Sequence, residues 1–184
     1  LGECDSKKYF LSQFESEAVD HPGKWRFGVY CSGIFRSDPE YFERYLERLT
    51  QNPSVDKGAL LFPIAFTSPT AGNRKRLLKF IADKAVQPME VTKLFTGGRW
   101  LDGAPVSEVA TIMEYMAQGE NWESTVSDVV SLYLHPNKPL PRELIPLGER
   151  ILSGINISLN QNDTYHCNQI AIGIAKTDLE RGFA

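Results

Sequence analysis

Two windows of the sequence share one pattern, in which an apolar segment is followed by a turn and then by an amphipathic helix. The first window runs from Val29 to Leu49, and the second, about 32 residues later, runs from Leu60 to Ile81. A spacing of this size is typical of helical-repeat proteins. Two matched units are too few for a regular solenoid, so we expect a compact set of helical hairpins. Stacked hairpins more often form binding surfaces than catalytic pockets.

The clearest helix start in the chain is Ser37-Asp38-Pro39-Glu40. Either Ser37 and Glu40 form a capping box, or Asp38 caps the helix and Pro39 takes its first position. On this helix Glu43 and Glu47 are four residues apart, so their like charges should repel slightly. The same start, stop and periodicity signals predict further helices over 71–85, Pro105–Gly119, Asn121–Leu134 and Pro141–Gly154.

Two segments do not distinguish helix from strand by their periodicity. Over 25–35, alternating apolar residues suit a strand, but the relation between the two windows favours a helix. Ile155 to Leu159 alternates with polar residues, and so does Ile170 to Ile174, which favours a small β-hairpin near the C-terminus. The competing interpretation makes 168–176 one more core helix. The predicted fold is therefore mainly α, with irregular antiparallel helical hairpins and this one β element.

Composition is that of an ordinary globular protein and predicts one domain over residues 1–184. The 184 residues are 42% hydrophobic and 23% charged, with a formal net charge of -3. A dedicated nucleic-acid binder would more often be basic. No apolar run approaches 18 residues, so no membrane span is expected. The first residue, Leu1, suits either a processed extracytoplasmic form or a trimmed chain, and no compartment is predicted.

Three cysteines, Cys4, Cys31 and Cys167, exclude a dense disulfide framework and a cysteine-based zinc site. The sequence is compatible with two arrangements: one disulfide with one free thiol, or three buried thiols. The histidines lack the spacing of a metal motif, and no loop matches a phosphate or dinucleotide fingerprint, so neither metal nor cofactor is expected. A hydrolase is the alternative function, with Cys31 or Cys167 as nucleophile and His135 or His166 as a distant base.

Two patches are the candidate binding sites. One is a basic helix face formed by Arg74, Lys75, Arg76 and Lys79. The other is a glycine-rich loop carrying Arg99 and Trp100, residue types that are enriched among interface hot spots. Phosphate contact through the helix 73–84 is the second alternative function. The leading hypothesis is a non-catalytic protein that recognises another protein, of the inhibitor or toxin-neutralising type.

Overall fold

The computed structural model describes residues 28–29, 31–34, 36–65, 70–92, 101, 103–134, 138–155 and 161–180. Helix is the only regular secondary structure in this part of the chain, so the predicted all-α class is confirmed. Before the first numbered helix, residues 28–29, 31–34 and 36–37 are helical, as the repeat relation favoured. The numbered helices are α1 Pro39–Gln51, α2 Lys57–Ala65, α3 Ala71–Ala82, α4 Pro88–Thr92, α5 Val106–Met116, α6 Trp122–Leu134, a 3-10 turn Arg142–Leu144, α7 Ile145–Gly154 and α8 Gln161–Glu180.

The start of α1 follows the second of the two capping predictions. The side chain of Asp38 accepts a hydrogen bond from the backbone N–H of Tyr41 at 3.0 Å, and Pro39 occupies the first turn. Ser37 instead donates its hydroxyl to the backbone carbonyl of Ile34. At the other end, Lys57 donates to the carbonyls of Leu49 and Asn52, which also accept from the backbone N–H groups of Asn52 and Val55, so the side chain adds to the hydrogen bonds that close the helix.

α2 is apolar on all sides and buried on most of them. Gly58, Leu60, Leu61 and Ile64 are buried, as is Pro63 within the helix. A helix that is hydrophobic all round belongs in a core. The packing of α2 against α1 and α3 therefore offsets the backbone hydrogen bond that the proline removes.

The contacts among α6, α7 and α8 show that successive helices alternate in direction. Ser124 and Asp128 of α6 meet Asp163 and His166 of α8, while Leu134 at the end of α6 lies against Gly173 further along α8. Residue numbers rise together in these contacts, so α6 and α8 run parallel. α7 runs the opposite way, because its Gly154 lies against Glu123 near the start of α6, whereas its Gly148 lies against Ile170 and Ile174 of α8.

The predicted β-hairpin near the C-terminus is wrong. Ile170, Ile172 and Ile174 all lie within α8, which is the competing interpretation of 168–176. The buried positions of this helix are Cys167, Ile170, Gly173 and Thr177, at spacings of three and four residues. Two of these four buried residues, Gly173 and Thr177, are not counted as hydrophobic in a sequence pattern. The alternating isoleucines therefore dominated that pattern. The first predicted strand, over 155–159, lies largely outside the described residues.

The chain divides into two compact units, Leu1–Val86 and Gln87–Ala184. In the first, Phe42, Leu46, Leu60 and Leu77 are fully buried. In the second, the fully buried side chains include Ile112, Met113, Met116, Leu134 and Leu140. The single-domain organisation stays a prediction. Among the described helices, none has both the length and the hydrophobicity needed to cross a membrane.

Candidate functional site

An open depression of about 470 Å³ lies between α1 and α3 in the first unit. Every side chain that lines it is long and polar or charged. We call it the Arg76 groove, and its lining residues are Glu43, Arg44, Glu47, Arg48, Gln51 and Arg76. Five of these six residues come from successive turns of the solvent-facing side of α1, whose opposite side buries Phe42, Tyr45, Leu46 and Leu49.

Arg76 joins the two helices that form the groove. Its Nη2 lies 2.8 Å from Oε2 of Glu43 and 3.4 Å from Oε2 of Glu47, and its Nη1 donates to Oδ1 of Asn73 at 3.0 Å. Gln51 donates to the other oxygen of Glu47 at 2.8 Å. The guanidinium therefore lies between two carboxylates whose charges would otherwise repel, which reverses the sequence expectation for Glu43 and Glu47.

The Arg76 side chain is largely buried, with 13% of its surface exposed. Its Nε is buried and has no hydrogen-bond partner among the described residues. Arg44 and Arg48, by contrast, are exposed, and the guanidinium of Arg48 lies 5.4 Å from the ring centre of Tyr45. That ring stacks in parallel with the ring of Tyr41 at 6.4 Å. Arg76 thus fixes the glutamates of the groove in place, whereas the positive charge that solvent can reach in the groove belongs to Arg44 and Arg48.

The predicted basic face of α3 is not one continuous positive surface. Arg74 is buried at 9% exposure, and Arg76 faces the two glutamates of α1. Lys79 pairs with Asp83 at 2.7 Å, while Lys75 is exposed. Of the predicted binding residues on this helix, Arg76 alone lines the groove. The other predicted patch, Arg99 and Trp100, lies outside the described residues.

The two candidate nucleophiles within the described residues are buried free thiols. Cys31 is 1% exposed and Cys167 is 3% exposed. Burial raises the pKa of the Cys31 thiol far above its ordinary value. Burial also raises the pKa of Cys167, and the charge of Asp163 adds to that shift. A reactive cysteine requires the opposite shift, since the thiolate is the nucleophile.

His166 contacts a carboxylate rather than a thiol. Its Nε2 lies 3.5 Å from Oδ1 of Asp128, and its Nδ1 is buried without a hydrogen-bond partner among the described residues. Ser124 donates its hydroxyl to Asp163 at 2.8 Å and so does not engage the imidazole. This polar seam joins α6 to α8 but does not form a nucleophile–base pair. His135 lies outside the described residues.

No cluster of three or more metal-binding side chains occurs in the part of the chain that the structure describes. No protein family, curated protein or solved structure matches this chain. Sequence patterns indicated the α1 side of the Arg76 groove through the alternating charges of Glu43, Arg44, Glu47 and Arg48, but the contribution of Arg76 depends on how α3 packs.

Proposed function

We propose that this chain is a non-catalytic protein that recognises another protein through the Arg76 groove. The observation that carries the proposal is an open surface lined wholly by charged and amide side chains, three of them arginines, held in place by Arg76. Arginine is enriched at protein interfaces because its planar guanidinium group can donate two parallel hydrogen bonds to one carboxylate and can stack on aromatic rings.

The mixture of charges favours a protein partner over nucleic acid. Glu43 and Glu47 contribute negative charge beside the arginines, and Lys79 is already paired with Asp83. A phosphate backbone would be repelled by the two carboxylates, whereas a protein surface can present acidic groups to the arginines and donors to the glutamates. An inhibitor or toxin-neutralising role is the form of recognition that suits the net charge of -3.

Preorganisation supports the same function. Because Arg76 is tied to Asn73, Glu43 and Glu47, little side-chain entropy remains to be lost there on binding. Arg48 is restrained in part by its position against Tyr45. The accessible guanidinium groups are thus presented from a rigid helix rather than from a loop, which lowers the cost of complex formation.

A paired charge reversal tests the site. We expect Arg44→Glu with Arg48→Glu to weaken binding of the partner protein by about 100-fold, since truncating an interface arginine often costs about 1–2 kcal/mol or more. The partner is first identified by affinity capture with the wild-type chain from an extract of its source cells. Titration calorimetry with the purified partner then gives the two dissociation constants.

The matched control reverses two exposed cations of the second unit, Lys138→Glu with Arg142→Glu. It changes the net charge equally and should leave the dissociation constant unchanged. Equal binding by the wild-type chain and the Arg44, Arg48 variant would refute the site. Retention on a polyanion column that is lost in that variant, without any captured protein, would favour nucleic-acid binding instead.

A further inference from the structure

The charges of the Arg76 groove differ in how far an incoming partner can use them. Glu43 and Glu47 are already engaged within the chain, since Nη2 of Arg76 lies 2.8 Å and 3.4 Å from their oxygens. Arg44 and Arg48 line the same groove and are exposed. Three arginines and two glutamates give the lining a formal charge of +1, in a chain whose net charge is -3. A partner therefore meets mainly guanidinium groups, which attract acidic side chains.

The spacing of the two exposed arginines restricts the shape of that acidic partner. Arg44 and Arg48 are four residues apart on α1, so they lie on one side of the helix, about 6 Å apart along its axis. A guanidinium group binds a carboxylate through two parallel hydrogen bonds. Two glutamate or aspartate side chains four residues apart on a partner helix have the same separation, so both pairs can form at once.

The walls of the groove favour a helical occupant over an extended one. They are formed by side chains of α1 and α3, whose backbone N–H and C=O groups pair within their own helices. An extended segment would gain no backbone hydrogen bonds from these walls, whereas a helix satisfies its own backbone. We infer, as an extension that rests on the proposed function, that the Arg76 groove binds an acidic helix of the partner protein, in which two carboxylates four residues apart pair with Arg44 and Arg48.

The dimensions of the groove set the expected length and strength of this contact. From Glu43 to Gln51 the lining extends about 12 Å along α1, roughly two helical turns, which a partner helix of about three turns covers. Exposed charge pairs contribute modestly, so the acidic helix alone should bind with a dissociation constant on the order of 1 mM. Its binding should weaken further as salt rises, because salt screens exposed charges.

NMR titration of the isotope-labelled full chain tests this contact through the Nε–Hε signals of its arginines. The probe is a lactam-bridged helical peptide of about 14 residues that carries two glutamates four residues apart. At low salt it should shift the Arg44 and Arg48 signals together, while the signal of exposed Arg142 in the second unit stays unchanged. Binding should fall about 5- to 10-fold when the two glutamates stand two residues apart, because they then face different sides of the peptide helix.

Matched variants of the chain separate the two arginines from general charge effects. Arg44→Gln with Arg48→Gln should abolish peptide binding, followed through the backbone amide signals of α1, whereas Arg142→Gln should preserve it. Absence of binding, or equal binding of the two helical peptides, would overturn the inference. So would tighter binding of a non-helical peptide with glutamates at alternate positions.

Two further results would assign the groove to a different occupant and so overturn the acidic helix. One is tighter binding of a thymidine oligonucleotide, which would indicate nucleic acid. The other is a shift of the Arg44 and Arg48 signals when the chain alone is concentrated, which would indicate a second copy. If the helical peptide fails but a purified partner protein still binds through Arg44 and Arg48, the acidic helix is rejected and the proposed function stands.

Discussion

Arg76 and its neighbours show how one residue can convert a repulsive pair into a fixed surface. Glu43 and Glu47 lie one turn apart on α1, and the guanidinium from α3 is within 2.8 Å and 3.4 Å of their oxygens. These carboxylates are partly exposed, so the pairing adds modestly to stability. Its larger effect is geometric, because it sets the side chains of α1 at fixed positions along the groove.

The thiol of Cys31 makes stability depend on pH. Burial raises its pKa in the folded state above the ordinary 9.0 of an exposed thiol. The contribution of the protonated thiol to the stability of the folded state is therefore fully present below about pH 9. It is lost as the pH rises above 9, because in that range only the unfolded chain releases the thiol proton. We expect this thiol to lower the free energy of unfolding by about 1.4 kcal/mol per pH unit above pH 9. Urea unfolding at pH 7, 9 and 10 measures it.

The contribution of Cys31 is isolated by comparing variants. Cys31→Ala should remove this one-proton slope, while Ile34→Val, a nearby buried change without a titratable group, should lower stability at every pH and keep the slope. The pKa values of Cys167, Tyr115 and Tyr133 are also raised, chiefly by burial, but these groups are common to all three proteins. Identical slopes for Cys31→Ala and the wild-type chain would show that the Cys31 thiol does not cause this pH dependence.

At the scale of the element, α8 depends on glycine to let other parts of the chain approach it. Leu140 donates its backbone N–H to the carbonyl of Gly173 at 2.9 Å, and Thr177 donates its hydroxyl to the carbonyl of Leu140. A Cβ on Gly173 would lie 3.0 Å from Cδ1 of Leu134 and 3.4 Å from the backbone nitrogen of Leu140. The glycine thus disfavours the helix locally but permits this packing.

The same substitution at two glycines should have opposite effects. Gly173→Ala gains about 1 kcal/mol of helix propensity, but overpacking costs about 1–3 kcal/mol, so we expect a net loss. At the helical residue Gly33 no atom of the described structure lies within 4 Å of an added Cβ, so Gly33→Ala should stabilise by about 0.5–1 kcal/mol. Chemical unfolding measures both, and a stabilising Gly173→Ala would contradict the packing described here.

Helices with strong local signals were predictable from sequence, whereas α8 was not. The turn at Asp38 and Pro39 starts α1 through side-chain and backbone preferences that need no tertiary contact. The buried side of α8 instead includes Gly173 and Thr177, which become core residues because Leu140 packs against them. A pattern that counts only apolar side chains cannot find a core surface made of small and polar residues.

The residues of the Arg76 groove likewise differ in how far the sequence predicted their positions. The charged side of α1 was visible in the sequence, because its helical period separates Glu43, Arg44, Glu47 and Arg48 from the buried residues. The sequence also marked Arg76, but as part of a basic face with Arg74 and Lys79. Whether a cation on α3 faces solvent, the core or α1 is decided by how the helices pack, which single-sequence periodicity does not specify.

At the scale of the whole molecule, the prediction of one domain can be tested by calorimetry. Residues 83–87 connect α3 to α4; this connection is only five residues long and buries Val86, although its other four residues are exposed, whereas linkers between independent domains are flexible and make few contacts. We expect one thermal transition whose calorimetric and van't Hoff enthalpies agree. Two transitions, or a calorimetric enthalpy about twice the van't Hoff value, would show instead that Leu1–Val86 and Gln87–Ala184 unfold independently.

Site-specific photo-crosslinking detects directly whether the proposed contact between the Arg76 groove and a partner protein forms. A photoreactive residue replaces Gln51, which lines the groove, or Lys138, which is exposed in the second unit. We predict a covalent protein adduct from position 51 that disappears when Arg44 and Arg48 are reversed to glutamate, and none from position 138. Adducts of equal yield from both positions, or an adduct at 51 that survives the charge reversal, would show that the partner does not bind through the Arg76 groove.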